Sequence, residues 1–157
     1  MKDGTMTTEK VLAAWRTLNQ AKYQKLDDAD KVKVWKATRA LRPIAEKFDE
    51  DLKDAAKKLK PSEDFDERLA KAQKYEVMIK QPDLDAEQLP MGAAEYTNFI
   101  DEFHAYNKLV DEAMKEYAQQ KVEIEVEPLS EESFAKLMAS NDWTMAQVVS
   151  LDDILVE

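Results

Sequence analysis

The chain has 157 residues, of which 36% are charged and 44% are hydrophobic, and its formal net charge is −10. The length suits one folded domain, and the hydrophobic share is too high for a disordered chain. Because phosphate groups and anionic lipid headgroups repel so acidic a protein, the charge argues against direct nucleic-acid binding and against binding to a membrane surface. The absence of cysteine excludes disulfides, zinc–thiolate sites and cysteine nucleophiles.

The first two predicted helices cover residues 8–26 and residues 30–60. Thr7 or Thr8 can cap the first helix. The second helix carries a heptad stripe of apolar and small residues, namely Val34, Thr38, Leu41, Ala45, Phe48, Leu52, Ala55 and Leu59. Pro43 lies within this stripe and predicts a kink or a break near Leu41, because proline has no backbone N–H to donate.

Two further helices are predicted beyond a turn at Pro61 and Ser62, where Ser62 is the expected N-cap. The third helix ends near residue 80, and a loop with two prolines and a glycine follows it. The fourth helix covers residues 93–120 with a second long apolar stripe. Two such stripes in one small chain are typical of a long antiparallel helical hairpin or a small bundle.

The pattern changes to strict alternation at residues 121–127, where three apolar residues alternate with glutamates. This alternation predicts one short β-strand, and a single strand needs a pairing partner. No second run alternates as clearly. The partner could lie within the chain, in a second copy of it or in another protein.

Two short C-terminal helices close the predicted fold. Ser130 is placed to cap the first of them, and Thr144 with Gln147 forms a capping box at the start of the second. The predicted class is therefore mainly α: a long helical hairpin or small bundle over residues 8–120, followed by a strand and two short helices over residues 121–157. The whole chain, residues 1–157, is predicted to be a single domain.

One shared helical core is predicted for the apolar residues of the long stripes. Its expected members are Trp15, Leu41, Phe48, Leu52, Phe99, Phe103 and Val110. Trp35 also lies among apolar residues at helical spacing, and core packing is the interpretation favoured for it over a role as an exposed binding anchor.

Motifs for catalysis, nucleotide binding and metal binding are missing from the sequence. The chain has one histidine, His104, and a carboxylate-bridged di-iron site needs two. There is no phosphate-binding glycine loop and no nucleophile elbow. We therefore predict a protein that is not an enzyme and needs no cofactor or metal.

The charge is unevenly distributed. Residues 8–47 contain ten basic and five acidic side chains, which leaves the rest of the chain with a net charge of −15. The basic residues of the second helix are either a solvated face or a site for an acidic partner or a phosphate group. The candidate partner-binding residues are Lys33, Lys36, Arg39 and Arg42 on this helix and Val122, Ile124 and Val126 on the strand.

The order of these elements resembles a family of short phage and prophage proteins that is known only as a domain of unknown function. The similarity lies in a helix that turns from basic to acidic over residues 32–50, a glutamate-rich strand at residues 122–126 and the terminal segment 151–157. The resemblance implies a phage origin and carries no catalytic residues. Pro43 departs from the family's continuous second helix.

Two functions follow as hypotheses. The first is a non-catalytic phage or prophage protein that acts through protein–protein interaction in the virion or its assembly. The second is an acidic inhibitor or decoy that occupies the basic groove of a host nuclease or defence protein. In both hypotheses the partner is another protein. The expected location is the host cytoplasm, because residues 1–8 lack a secretion signal and no apolar run reaches the roughly 20 residues of a membrane span. Both hypotheses are compatible with a homo-oligomer.

Overall fold

The structure is a computed structural model that describes residues 2–156, with side chains from Gly4 onward. Met1, where the search for a secretion signal began, and Glu157, the last residue of the terminal segment that resembles phage proteins, lie outside the described residues.

The described residues form six α-helices and two β-strands, and the helices make up 69% of the chain. The elements are β1 (Lys2–Thr7), α1 (Thr8–Leu18), α2 (Asp28–Lys58), α3 (Phe65–Met78), α4 (Ala93–Gln119), β2 (Lys121–Val126), α5 (Glu131–Ala139) and α6 (Met145–Leu155). The predicted class, mainly α with one strand near residue 121 and two short C-terminal helices, is confirmed. A second strand, β1, is present in addition.

Two compact units make up the chain. Unit 1 contains the residues up to Asp51 and those from Lys115 onward, and unit 2 is Leu52–Met114. The division falls within α2 and within α4. Each unit has its own buried cluster, so the prediction of one shared core is wrong.

The core of unit 1 gathers side chains from β1, β2, α1, α2, α5 and α6. The fully buried ones include Val11 of α1, Leu41 of α2 and Leu137 of α5. The C-terminal helix α6 adds Leu151, Ile154 and Leu155, all with no exposed surface. The predicted caps start the last two helices, since Ser130 Oγ accepts the Ser133 N–H and Thr144 forms a full capping box with Gln147.

The strand β2 pairs with β1 in an antiparallel ladder. The register runs from Lys2 opposite Val126 to Thr7 opposite Lys121. The pairing partner of β2 therefore lies within the chain, and not in a second copy or in another protein. The apolar face of β2 packs on the helices, because Ile124 and Val126 belong to the core of unit 1.

Two helices depart from their predicted course. The first ends at Leu18 rather than at residue 26, because the Asn141 side chain bonds both the N–H and the C=O of Lys22 at 2.8 Å and holds that backbone outside a helix. Of the kink or break predicted near Leu41, the break is absent, because α2 is continuous through Pro43. Pro43 is exposed, so water can hydrate the Arg39 carbonyl that lacks a helical donor.

The core of unit 2 is aromatic. The Phe65 ring centroid lies 5.3 Å from that of Phe99 and 5.0 Å from that of Tyr106. The hydroxyl of Tyr106 donates to the carbonyl oxygen of Ala56 at 2.6 Å, which ties α4 to the end of α2. Stacked and tilted ring pairs of this kind add to the stabilisation that burial alone provides.

Replacing Phe65 with alanine tests this core. Phe65 is 2% exposed, and we expect Phe65→Ala to lower the free energy of unfolding by about 3–5 kcal/mol because it leaves a cavity among three rings. The control is Leu109→Ala on α4, where the side chain is 50% exposed, and its expected cost is below about 0.5 kcal/mol. Urea unfolding followed by circular dichroism measures both. Similar small losses for the two variants would contradict the assignment of Phe65 to the core.

Candidate functional site

The side chains that could ligate a metal ion are scattered over the described part of the chain. Within residues 2–156, no three His, Asp or Glu side chains are grouped so that they could hold a metal ion. His104 lies exposed on α4, with its ring centroid 6.4 Å from that of Phe103. No helix in this range is long and apolar enough to cross a membrane.

The best-organised charged cluster is centred on Arg68 of α3. Its guanidinium donates to both carboxylate oxygens of Glu102 on α4, at 2.7 and 3.0 Å, and to the Ser62 hydroxyl at 2.8 Å. Its Nε lies 3.4 Å from Asp64 Oδ1, an ion pair whose geometry falls short of a hydrogen bond. The same guanidinium lies 5.8 and 5.5 Å from the ring centroids of Phe65 and Phe99.

The electrostatics of this cluster favour a structural role. The hydrogen bond from Arg68 lowers the pKa of Glu102, and the hydrogen bond from the Ser62 hydroxyl is the main cause that lowers the pKa of Asp64. Both shifts hold these carboxylates in the charged form, which suits an ion pair and not a general acid. The cluster thus joins α3 to α4 over the aromatic core of unit 2.

A second polar contact in unit 2 joins the same two helices. The hydroxyl of Tyr96 on α4 donates to a carboxylate oxygen of Glu76 on α3, and this bond raises the pKa of Tyr96. The Tyr96 ring also stacks on Tyr75, with 4.5 Å between centroids. The neutral Tyr96 hydroxyl and the Glu76 carboxylate thus link α4 to α3.

The most exposed tryptophan of the protein lies on the basic part of α2, in unit 1. Trp35 is 54% exposed, so the favoured interpretation of this residue as a core residue is wrong. The guanidinium carbon of Arg39, one helical turn later, lies 5.4 Å from the centre of the Trp35 ring. Val32 and Lys36 are exposed on the same side of the helix. We call Val32, Trp35, Lys36 and Arg39 the Trp35 face.

The four predicted basic candidates are divided by the packing of α2. Lys36 and Arg39 belong to the Trp35 face. Lys33 is half-buried and pairs with Asp30 at 3.9 Å, and Arg42 lies with its guanidinium carbon 5.9 Å from the ring centre of Trp15 on α1. The heptad stripe on the opposite side turns Val34 and Leu41 into the core, which leaves the Trp35 face to solvent.

The strand candidates point inward. Ile124 is 9% exposed and Val126 is 2% exposed, while Val122 packs on the same core from a half-buried position. The side chains of Ile124 and Val126 are therefore covered by the core, and that of Val122 is covered in part. The alternate residues Glu123 and Glu125 are exposed on the other face of the sheet.

An apolar groove between α1 and α6 was not predicted from the sequence. It has a volume of 690 Å³ and is lined by Ala13 of α1 and by Met145, Ala146 and Val149 of α6, with Glu9 and Asp153 among its polar neighbours. Met145 is 76% exposed and Val149 is 53% exposed. Their spacing of four residues places both on one side of α6 and was a usable signal in the sequence.

Comparison with known proteins adds no functional information. No family model, no curated protein and no solved structure matches the chain.

The charged cluster of unit 2 predicts a dependence of stability on pH. A carboxylate whose pKa is lowered in the folded state contributes stability above its unfolded pKa, and that contribution is lost as the pH falls through the folded pKa. We expect Glu102→Gln to destabilise unit 2 at neutral pH, and we expect this difference from the natural protein to shrink as the pH falls below about 4. Urea unfolding read from the amide signals of α3 measures both profiles.

The matched control for this prediction is Glu112→Gln, which removes an exposed carboxylate from the same helix. Its profile should follow that of the natural protein at every pH. A constant difference between Glu102→Gln and the natural protein across the acid range would contradict the role of the Arg68–Glu102 pair.

Proposed function

We propose that this protein is a non-catalytic binding protein that docks on another protein through the Trp35 face. The observation that carries the proposal is the exposed indole of Trp35 with the Arg39 guanidinium held over it. Tryptophan and arginine are the residue types most enriched at the energetic centres of protein interfaces. Here both lie one turn apart on a helix whose opposite side is anchored in a core.

The magnitude of the available binding energy supports this choice. A tryptophan buries about 150–250 Å² when it is fully covered, and roughly half of that surface remains exposed at Trp35. At about 25 cal/mol per Å², covering the rest contributes on the order of 2–3 kcal/mol. That is the range of an interface hot spot.

The chemistry of the face favours an acidic partner surface. Lys36 is exposed beside Trp35 and Arg39, so a docked carboxylate can meet two cations at the edge of an aromatic ring. Arg39 is already ordered against the indole, which reduces the side-chain entropy lost on binding. The pair is therefore better prepared for docking than two freely moving basic side chains.

The biological setting of this binding is proposed from the resemblance to short phage and prophage proteins. In that setting the partner is another protein of the virion or of its assembly, and binding takes place in the host cytoplasm. Co-purification of the protein with assembled particles is the observation that tests the setting.

A second candidate function is the acidic inhibitor or decoy. Five glutamates between residues 123 and 132 are all exposed in unit 1, and they are Glu123, Glu125, Glu127, Glu131 and Glu132. A surface of this kind can occupy a basic groove that normally holds phosphates. Binding that weakens steeply with added salt and is lost when these glutamates are replaced by glutamine would favour this function over the first.

Replacing Trp35 with alanine tests the first proposal. We expect Trp35→Ala to fold with a nearly unchanged melting temperature, because most of the side chain is exposed, and to bind the partner at least about tenfold more weakly. The measurement is quantitative affinity capture from cells that carry the gene, followed by titration of the captured protein with each purified variant.

The control for this capture is Val77→Ala on α3, where a 63% exposed apolar side chain is removed from unit 2. It should bind as the natural protein does. If Trp35→Ala retains the full affinity for every partner that the natural protein captures, the Trp35 face is not the binding surface.

A further inference from the structure

The second edge of β2 is open, and the hydrogen-bond pattern of the ladder shows which of its groups are free. The Thr8 N–H donates to the Gln120 carbonyl oxygen at 2.9 Å, in the same register as the β1–β2 pairs. In an antiparallel ladder, bonded and non-bonded pairs alternate. Val122, Ile124 and Val126 are therefore bonded to β1.

The alternate residues of β2 direct their backbone groups away from β1. These residues are Lys121, Glu123 and Glu125. Within the described chain no backbone or side-chain group forms a hydrogen bond to their N–H or C=O, and all three residues are exposed. An edge with free donors and acceptors in a row is a template for another strand.

We propose that this edge of β2 binds an extended segment of a partner protein by strand addition, and that the segment carries lysine or arginine opposite Glu123 and Glu125. The proposal concerns a surface separate from the Trp35 face and does not depend on it. It assigns a ligand class, a basic β-strand, to residues 121–125.

Charge selects this occupant over a second copy of the chain. Glu123 and Glu125 lie two residues apart, so their side chains leave the same face of the sheet. Neither carboxylate forms an ion pair with a basic side chain of the described residues. A second β2 strand placed in register would set glutamates against one another, which is destabilising, while lysine or arginine at those positions gains a cross-strand pair.

Space beside the edge suits the side chains of an added strand. A concavity of 690 Å³ is lined by Gly4 and Thr5 of β1 and by Glu123, Ile124 and Glu125 of β2. Long basic side chains of an added strand can therefore extend into open space next to the two carboxylates.

The thermodynamics of the small sheet favour a third strand. The β1–β2 pair has six residues in each strand, and isolated two-stranded sheets are marginal in water. The inner face is fixed by Ile124 and Val126 in the core, so the edge is already ordered before a partner arrives. Binding then adds backbone hydrogen bonds without ordering the acceptor strand, which is the mode of strand-addition domains.

The test uses short synthetic peptides of alternating sequence as probes. One alternates lysine with valine, one alternates glutamate with valine, and a third is the lysine peptide with N-methyl groups on alternate backbone nitrogens. We expect the lysine peptide to bind and to slow hydrogen exchange at the Glu123 and Glu125 amides. The glutamate peptide should not bind. The N-methylated peptide keeps its positive charges but lacks the backbone N–H groups that would donate to β2, so it should bind at least about tenfold more weakly than the unmodified lysine peptide.

Two protein variants separate backbone pairing from charge. Glu123→Pro removes one outward N–H and leaves the ladder to β1 intact, since an edge position with its N–H toward solvent tolerates proline. Glu123→Gln keeps the N–H and removes the charge. We expect the first to abolish binding at every salt concentration, and the second to weaken binding severalfold at low salt only. Glu46→Gln, which removes an exposed carboxylate from α2, is the matched control and should bind as the natural protein does.

Three outcomes would overturn the proposal. They are equal binding of the N-methylated and unmodified lysine peptides, peptide binding without slowed exchange at residues 121–126, and a dimer of the natural protein that occupies this edge and is abolished by Glu123→Pro. The N-methylated peptide needs no change in the protein, so it decides the question even if Glu123→Pro fails to fold.

Discussion

The antiparallel ladder between β1 and β2 is the constraint on which unit 1 depends. It joins two segments of that unit that are separated in sequence by the whole of unit 2. The ladder is extended at its end by Thr8, whose N–H and hydroxyl both donate to the Gln120 carbonyl oxygen at 2.9 Å. Closing so long a loop costs conformational entropy. Burial of Ile124 and Val126 against the helices offsets this cost. It also fixes the register, because a shift of one residue would expose both side chains to solvent.

The same ladder determines which surfaces of unit 1 remain available to a partner. The apolar side of β2 is buried in the core, and so is the side of α2 that carries Val34 and Leu41. What is left is the opposite side of each element: basic and aromatic on α2, acidic on the sheet. These two surfaces have opposite charge and lie on elements that are anchored from behind, which is the arrangement that loses least entropy on docking.

Much of the fold could be predicted from the sequence because its signals are local. The heptad stripe of α2, the capping box at Thr144 and the alternation of β2 each depend on residues within a few positions of one another. The strand β1 had no such signal, since Gly4 interrupts an otherwise short polar run and only its pairing with β2 makes it a strand. The early end of α1 depends in the same way on Asn141, a residue more than a hundred positions away.

The candidate surfaces were predictable only in part, for a geometric reason. Apolar residues at helical spacing on a helix of 31 residues can serve two different faces, and the sequence does not say which of them a core will cover. Trp35 lies between Val34, which is buried, and Lys36, which is exposed. Turning the helix about its axis by one residue position would therefore be enough to move Trp35 between solvent and the core. Its location on the exposed side follows from the tertiary packing of Val34, Ala37 and Leu41.

The glutamates of β2 explain how an open edge can persist in a stable protein. An unpaired strand invites pairing with copies of itself, and charged side chains on the edge are a common means of preventing this. Glu123 and Glu125 supply that charge, and because like charges repel only like partners, the protection is selective. An edge that resists its own copy in this way still accepts a strand of opposite charge. Solubility of the free protein and recognition of a basic segment thus follow from the same two side chains.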